Sequence, residues 1–133
     1  MDASRRVLIL DDDPVVQMNL RAYLEDEGFT VLSATTGEDA LPLLLGESSP
    51  DLVVFDIRLA GMSGEEFAIR ARERAPGLRY LIHTASTEYA VPQSLADIGI
   101  RSRDVLIKPL EDMQALGGAI RRQFKAGDKF NEV

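Results

Sequence analysis

Four short apolar runs each end in a side chain that can do chemistry. Val7–Leu10 leads into Asp11, Asp12 and Asp13, Leu52–Phe55 into Asp56, the run starting at Leu78 into Thr84, and Val105–Ile107 into Lys108. Carboxylates brought into one pocket repel each other and require a cation. With no cysteine and one histidine, the available ligands are hard oxygens, which suit Mg²⁺ or Mn²⁺. Lysine adds a mobile positive charge that pairs with a carboxylate or a phosphoryl group, and threonine adds a small hydroxyl donor. Metal, cation, donor and carboxylate nucleophile are the parts of a phosphoryl-transfer site. Singly each signal is weak. An acidic cluster before a helix can serve the macrodipole alone, and an aspartate after a strand can be an ordinary cap. Their joint placement carries the reading.

The elements that position these groups follow from the same pattern. Short runs that are apolar throughout read as buried parallel strands. Strands are expected at Val7–Leu10, Phe29–Ala34, Leu52–Phe55, Leu78–His83 and Val105–Ile107. Helical spacing lies between them. Pro14 opens a first helix that Gly28 stops. Thr36 and Asp39 resemble a capping box for a second helix through Leu45, which Pro42 should kink or shorten. A charged third helix spans Glu65–Ala75. A weaker fourth runs toward Ile98 with Pro92 obscuring its start, and a fifth runs from about Glu111 to Phe124. Its Gly117-Gly118 pair costs ~1 kcal/mol per glycine relative to alanine. Five strands alternating with five helices imply a doubly wound α/β fold, a parallel sheet covered on both faces. Order 2-1-3-4-5 sets strands one and three side by side, so Asp11, Asp12 and Asp56 should converge at the carboxyl edge.

The 133 residues amount to one domain, read as residues 5–125 with a short tail at 126–133. A 45% hydrophobic and 28% charged composition excludes a disordered or low-complexity chain. The absence of cysteine excludes disulfide scaffolds, thiolate metal sites and cysteine nucleophiles. No run reaches the ~20 apolar residues of a membrane span, and the N-terminus does not read as a signal peptide, so a cytoplasmic protein is expected. A net charge of −7 argues against direct nucleic-acid binding and for cationic or protein partners.

With these residues in place, the chain resembles a response-regulator receiver domain of two-component signalling, of the stand-alone type. The matching segments are VLILDDDP, VVFDIRLAGMSG, LIHTAS and VLIKPL, in that order, each built on an apolar strand. The resemblance covers about residues 5 to 125 and implies a flavodoxin-like fold. It implies that Asp56 accepts a phosphoryl group and that Asp12 ligates Mg²⁺ directly. Asp11 would act mostly through water, and the Arg58 backbone carbonyl would be a further ligand. Thr84 and Lys108 would hold phosphoryl oxygens, and the Lys108-Pro109 bond would be cis. The side chains of Arg58 and Ser86 would tune how fast the group is lost. The implied partners are a sensor histidine kinase or a histidine phosphotransfer protein upstream and an unknown protein downstream. A monomer or weak dimer is expected. The domain would catalyse its own phosphorylation and dephosphorylation and would not be a metabolic enzyme. With no output domain in the chain, its message would leave by protein contact.

Some positions depart from the pattern. Val105 stands where the family often has an aromatic residue that reports the movement of Thr84. The Gly99–Lys108 segment looks about two residues longer than is usual in the family. Ala60 stands where proline is common, which should loosen the acceptor loop. His83 precedes Thr84, so strand alternation points it away from the pocket as a packed or partly exposed residue. Two other functions fit parts of the sequence. LILDDDPVV also matches the opening motif of haloacid-dehalogenase-like phosphatases, with Asp11 as nucleophile and Asp13 as acid/base, and Thr84 and Lys108 in the middle motifs. That reading leaves Asp56 without a role. A pseudo-receiver scaffold would keep the fold without being phosphorylated.

Overall fold

The computed structural model describes residues 5 to 131, with side chains through residue 125. Five strands form one parallel sheet in the order β2-β1-β3-β4-β5. They are β1 (Arg6–Leu10), β2 (Thr30–Ala34), β3 (Leu52–Phe55), β4 (Arg79–Thr84) and β5 (Val105–Ile107). The helices are α1 (Pro14–Asp26), α2 (Gly37–Ala40), α3 (Gly64–Arg74), α4 (Gln93–Ala96) and α5 (Gln114–Asn131). The order follows the expected doubly wound arrangement. Leu10 is in register with both Ala34 and Phe55, so β1 and β3 end side by side.

Alternation along the strands divides the core in two. Leu8, Leu10, Val53, Phe55, Tyr80 and Ile82 face Phe67, Ala68 and Ala71 of α3 and Leu95 of α4. Val7, Ile9, Leu52, Val54 and Leu81 face Leu20 and Leu24 of α1 and Leu116, Ala119 and Ile120 of α5. β1 and β3 are buried on both faces, which is why their sequences read as continuous apolar runs.

Three elements differ from their expected form. The second helix is α-helical only to Ala40 and continues as a 3-10 turn over Leu41–Leu44. Pro42 has no N–H to continue the α-helical ladder. The fourth helix is a single turn, Gln93–Ala96, entered directly from Pro92. The fifth starts at Gln114, whose N–H donates to Asp112 Oδ1 at 2.9 Å, rather than near Glu111. It then runs past Phe124 to Asn131, so residues 126–131 continue a helix, and the last two residues of the expected tail lie outside the described residues. Its glycine pair does not interrupt it. A Cβ at Gly117 would come within 2.5 Å of the Tyr23 hydroxyl, so glycine there lets α1 and α5 approach. The long segment before β5 folds into a 3-10 turn, Ser102–Asp104. Asp104 anchors it, accepting from the Arg101 N–H at 2.8 Å and from Gln123 Nε2 at 2.7 Å.

Candidate functional site

The parallel sheet delivers the chemistry-bearing residues to its carboxyl edge. Asp11 and Asp56 follow the last paired residues of β1 and β3, Thr84 closes β4, and Lys108 follows β5. Two backbone bonds extend the ladder into the site. The Asp56 N–H donates to Leu10 O at 3.1 Å, and the Lys108 N–H donates to Thr84 O at 2.8 Å.

Lys108 Nζ lies 2.7 Å from Asp11 Oδ2 and 2.8 Å from Asp56 Oδ2. All three side chains are largely buried, and one ammonium neutralises part of two carboxylates that would otherwise repel. Burial pulls the Lys108 pKa down, but hydrogen bonds and charge from Asp11 and Asp56 outweigh it and hold the pKa above its ordinary value. The other oxygens are also occupied. Asp11 Oδ1 accepts the Asp13 N–H at 2.9 Å, and Asp56 Oδ1 accepts the Arg58 N–H at 3.3 Å. The peptide bond after Lys108 is cis.

Asp12 does not join this pair. Its side chain is exposed, and among the described residues no three carboxylate or imidazole side chains gather into a metal-holding group. The expected convergence of three carboxylates is thus a convergence of two around a lysine. Asp11 turns inward to Lys108 while the chain leaves β1 toward Pro14, which carries the next residue outward. Asp13 is committed elsewhere, its Oδ1 accepting the Val15 N–H at 2.9 Å and capping α1.

Asp56, Arg58, Thr84, Ala85, Ser86, Thr87 and Glu88 line one open cleft of about 330 Å³. The Thr84 hydroxyl is buried there and accepts the Ser86 N–H at 3.3 Å. The carboxylate oxygens of Asp11 and Asp56 at the site are hard oxygen donors, with no nitrogen or sulfur ligand beside them among the described residues. That chemistry fits a hard divalent cation, and the Lys108 ammonium already marks a position where positive charge is stabilised.

His83 points to the opposite face of the sheet, toward a smaller cavity lined by Val16, Leu20, Pro109 and Met113. It is 5% exposed, and neither ring nitrogen has a hydrogen-bond partner. Burial first, and then the Lys108 charge, lowers its pKa below 6.5.

Three supporting contacts were not legible in the sequence. The Glu38 carboxylate accepts the Met62 N–H, with Oε2 at 3.2 Å, and so ties α2 to the loop that contains Ala60. Tyr89 donates to Glu65. The Gln17 carboxamide reaches the end of β1. Each joins residues distant in sequence or reaches a backbone group, and none has a local signature. Val105 is partly buried in the same core cluster as Tyr89 and pairs with Ile82.

Comparison with known proteins gives a consistent result. The family model described as "Response regulator receiver domain" matches residues 7–121. Among curated relatives, the "Transcriptional activator protein ExaE" of Pseudomonas putida is 36% identical over 95 residues, covering 70% of this chain and 44% of its own. Further relatives named "Response regulator MprA" are matched over 53% to 56% of their length, so the chain spans about half of the curated relatives it matches. A CheY-like receiver domain protein from Methanospirillum hungatei JF-1 superposes with a TM-score of 0.81 at 27% identity, covering 96% of this chain and 98% of that one. The response regulator TrrA of Thermotoga maritima, solved with Mg²⁺ and BeF, gives a TM-score of 0.75 at 27% identity, covering 90% and 98%. No helix among the described residues is long and apolar enough to cross a membrane.

Proposed function

The chain belongs to the response-regulator receiver family, and from that membership we propose that it is a phosphorylation switch in which Asp56 takes a phosphoryl group from a phosphohistidine donor. Receiver domains are Mg²⁺-dependent and interact with histidine kinases or phosphotransfer proteins. The observation that carries the reading is the Lys108 ammonium held between Asp11 and Asp56.

An Asp56 carboxylate oxygen attacks the phosphorus as the bond to the donor imidazole breaks, leaving an acyl phosphate on Asp56 and a free histidine on the donor. The phosphoryl group adds a charge of about −1.5 to −2 beside Lys108. Lys108 can follow that charge by leaving Asp11, and Thr84 offers a hydroxyl from the cleft wall. Asp11, Asp12, Asp56 and the Arg58 carbonyl would hold Mg²⁺, or Mn²⁺ in its place. The metal supplies charge neutralisation of the transferring group. Water later hydrolyses the acyl phosphate, so the domain catalyses both directions of its own switch and acts on no metabolite.

The donor has a surface to approach. Val15 and Met18, at the start of α1 beside the acidic loop, are more than half exposed. A histidine-bearing protein seated there would lie beside Asp56. Downstream, the segment after Thr84 and the one-turn α4 are the natural exit for the signal by protein contact. A cytoplasmic monomer or weak dimer, acting without direct contact to nucleic acid, fits this role.

A phosphatase reading with Asp11 as nucleophile is disfavoured by Asp13, its would-be acid/base, whose carboxylate is committed to capping α1. Intact-mass spectra after incubation with Mg²⁺ and a small-molecule phosphodonor decide the matter. One added phosphoryl group, lost in Asp56→Asn, is expected. Labelling that survives Asp56→Asn and disappears in Asp11→Asn would establish the phosphatase reading. No labelling from either the small donor or a purified kinase would leave a scaffold.

A further inference from the structure

Gln17 closes the first turn of α1, and its side chain turns back under the acidic loop. Nε2 is 2.8 Å from Ala34 O, 3.0 Å from Asp11 O and 3.2 Å from Ile9 O. The amide oxygen is buried and has no partner. The opposite orientation of the amide would aim that oxygen at three carbonyls, so the donor must face the strands.

The location matters more than the number of bonds. Pairing of β1 with β2 ends at Leu10 and Ala34, and the Asp11 N–H donating to Ala34 O at 3.2 Å is the last rung. Beyond it the chain peels away from the sheet, and the Asp11 carbonyl has no strand partner. Gln17 Nε2 supplies one. The Gln17 backbone N–H donating to Asp13 O at 3.0 Å is the first bond of α1 and would form with any residue there, so the hold of the side chain on the loop is at Asp11. The Asp11 carboxylate is fixed from the other side by Lys108 and the Asp13 N–H. A buried polar amide that leaves its own oxygen unsatisfied costs stability, and a methionine would fill the same space more cheaply. The geometry is what it retains.

We propose that Gln17 is a positioning residue for the divalent-cation site, orienting Asp11 and Asp12 through the Asp11 carbonyl. The proposal rests on the metal-dependent reading above. It predicts an effect on cation affinity that a general loss of stability does not produce.

The test is calorimetric titration of the folded protein with Mg²⁺, comparing wild type, Gln17→Met and Gln123→Met. Gln123 is a similarly half-buried amide that donates to Tyr80 O and Asp104, away from the acidic loop. Gln17→Met should weaken Mg²⁺ binding by about tenfold, the scale expected when a group orienting a metal ligand is removed. Phosphorylation at saturating Mg²⁺ should recover, and Gln123→Met should bind Mg²⁺ as wild type does. A Gln17→Met dissociation constant within about twofold of wild type overturns the proposal, as does an equal loss in Gln123→Met. Wild type that binds no Mg²⁺ would instead overturn the metal reading itself. Should Gln17→Met fail to fold, nuclear magnetic resonance of the wild type decides. The Gln17 carboxamide protons should exchange slowly with water and shift when Mg²⁺ is added. Rapid exchange and an unmoved signal would refute the assignment.

Discussion

The Tyr89 hydroxyl donates to Glu65 Oε2 at 2.6 Å, joining the segment after Thr84 to the first turn of α3. Glu65 stands one residue beyond Gly64, which packs on the Asp56 backbone, and Tyr89 packs in the core cluster that includes Val105.

Burial raises the Tyr89 pKa above its ordinary value of 10.0, and the hydrogen bond and charge of Glu65 raise it further. Glu65→Gln should therefore make one of the three tyrosines ionise at lower pH in a tyrosinate absorbance titration. Tyr89→Phe should cost about 0.5–1.5 kcal/mol in urea unfolding, the usual net value of such a bond. An unchanged titration curve in Glu65→Gln would mean that the contact does not persist in solution.

Gly64→Ala should damage the site from behind. A Cβ there would come within 2.8 Å of Ile57 Cα and 3.0 Å of the Asp56 carbonyl carbon, both backbone atoms that cannot rotate away. The acceptor loop must move, at about 1–3 kcal/mol for an overpacked position. Phosphorylation of Asp56 should slow more than the melting temperature suggests. Wild-type labelling rates in the variant would show that the loop absorbs the methyl group.

Lys108→Met leaves Asp11 and Asp56 facing each other. The variant should lose about 1–3 kcal/mol at neutral pH, less than for a fully buried pair because the site is partly open. The deficit should shrink on adding Mg²⁺, whose charge would replace that of the ammonium. Denaturant melts with and without the metal check this. A deficit independent of Mg²⁺ would assign Lys108 a packing role.

His83 gives a different pH dependence. Its folded pKa lies below 6.5, so the folded protein keeps it neutral where the unfolded chain takes up a proton. Its contribution is intact above the unfolded value and is lost as the pH falls below it. Relative to His83→Leu, the wild type should lose stability between about pH 7 and pH 5, with a slope of at most ~1.4 kcal/mol per pH unit. Lys108, Asp11 and Asp56, whose charges also act on the imidazole, remain in the variant, so the difference between the two curves isolates His83. Parallel stability curves would exclude His83 as the source.

The fold was legible because its signals are local. A strand buried on both faces is written as an apolar run, and a chain that alternates such runs with helical spacing has few topologies open to it. β3 and β5 have the bounds their sequences suggest. Helix ends were less legible. Pro42 announces a disturbance but not a 3-10 turn, and Gly117-Gly118 reads as weakness until Tyr23 is seen against it.

The site divides along the same line. Asp11, Asp12, Asp56, Thr84 and Lys108 are written after their strands, and parallel pairing carries them all to one edge of the sheet. The sequence by itself therefore determined which groups reach the carboxyl edge of the sheet. It did not determine that Lys108 lies between Asp11 and Asp56 while Asp12 faces solvent, because that depends on how the chain turns after β1. Nor could it place the Glu38 carboxylate on Met62, or the Gln17 amide on Asp11. Those contacts join a side chain to a backbone group of another element. A backbone N–H or carbonyl has no residue identity to read, so only the tertiary structure decides which side chain satisfies it.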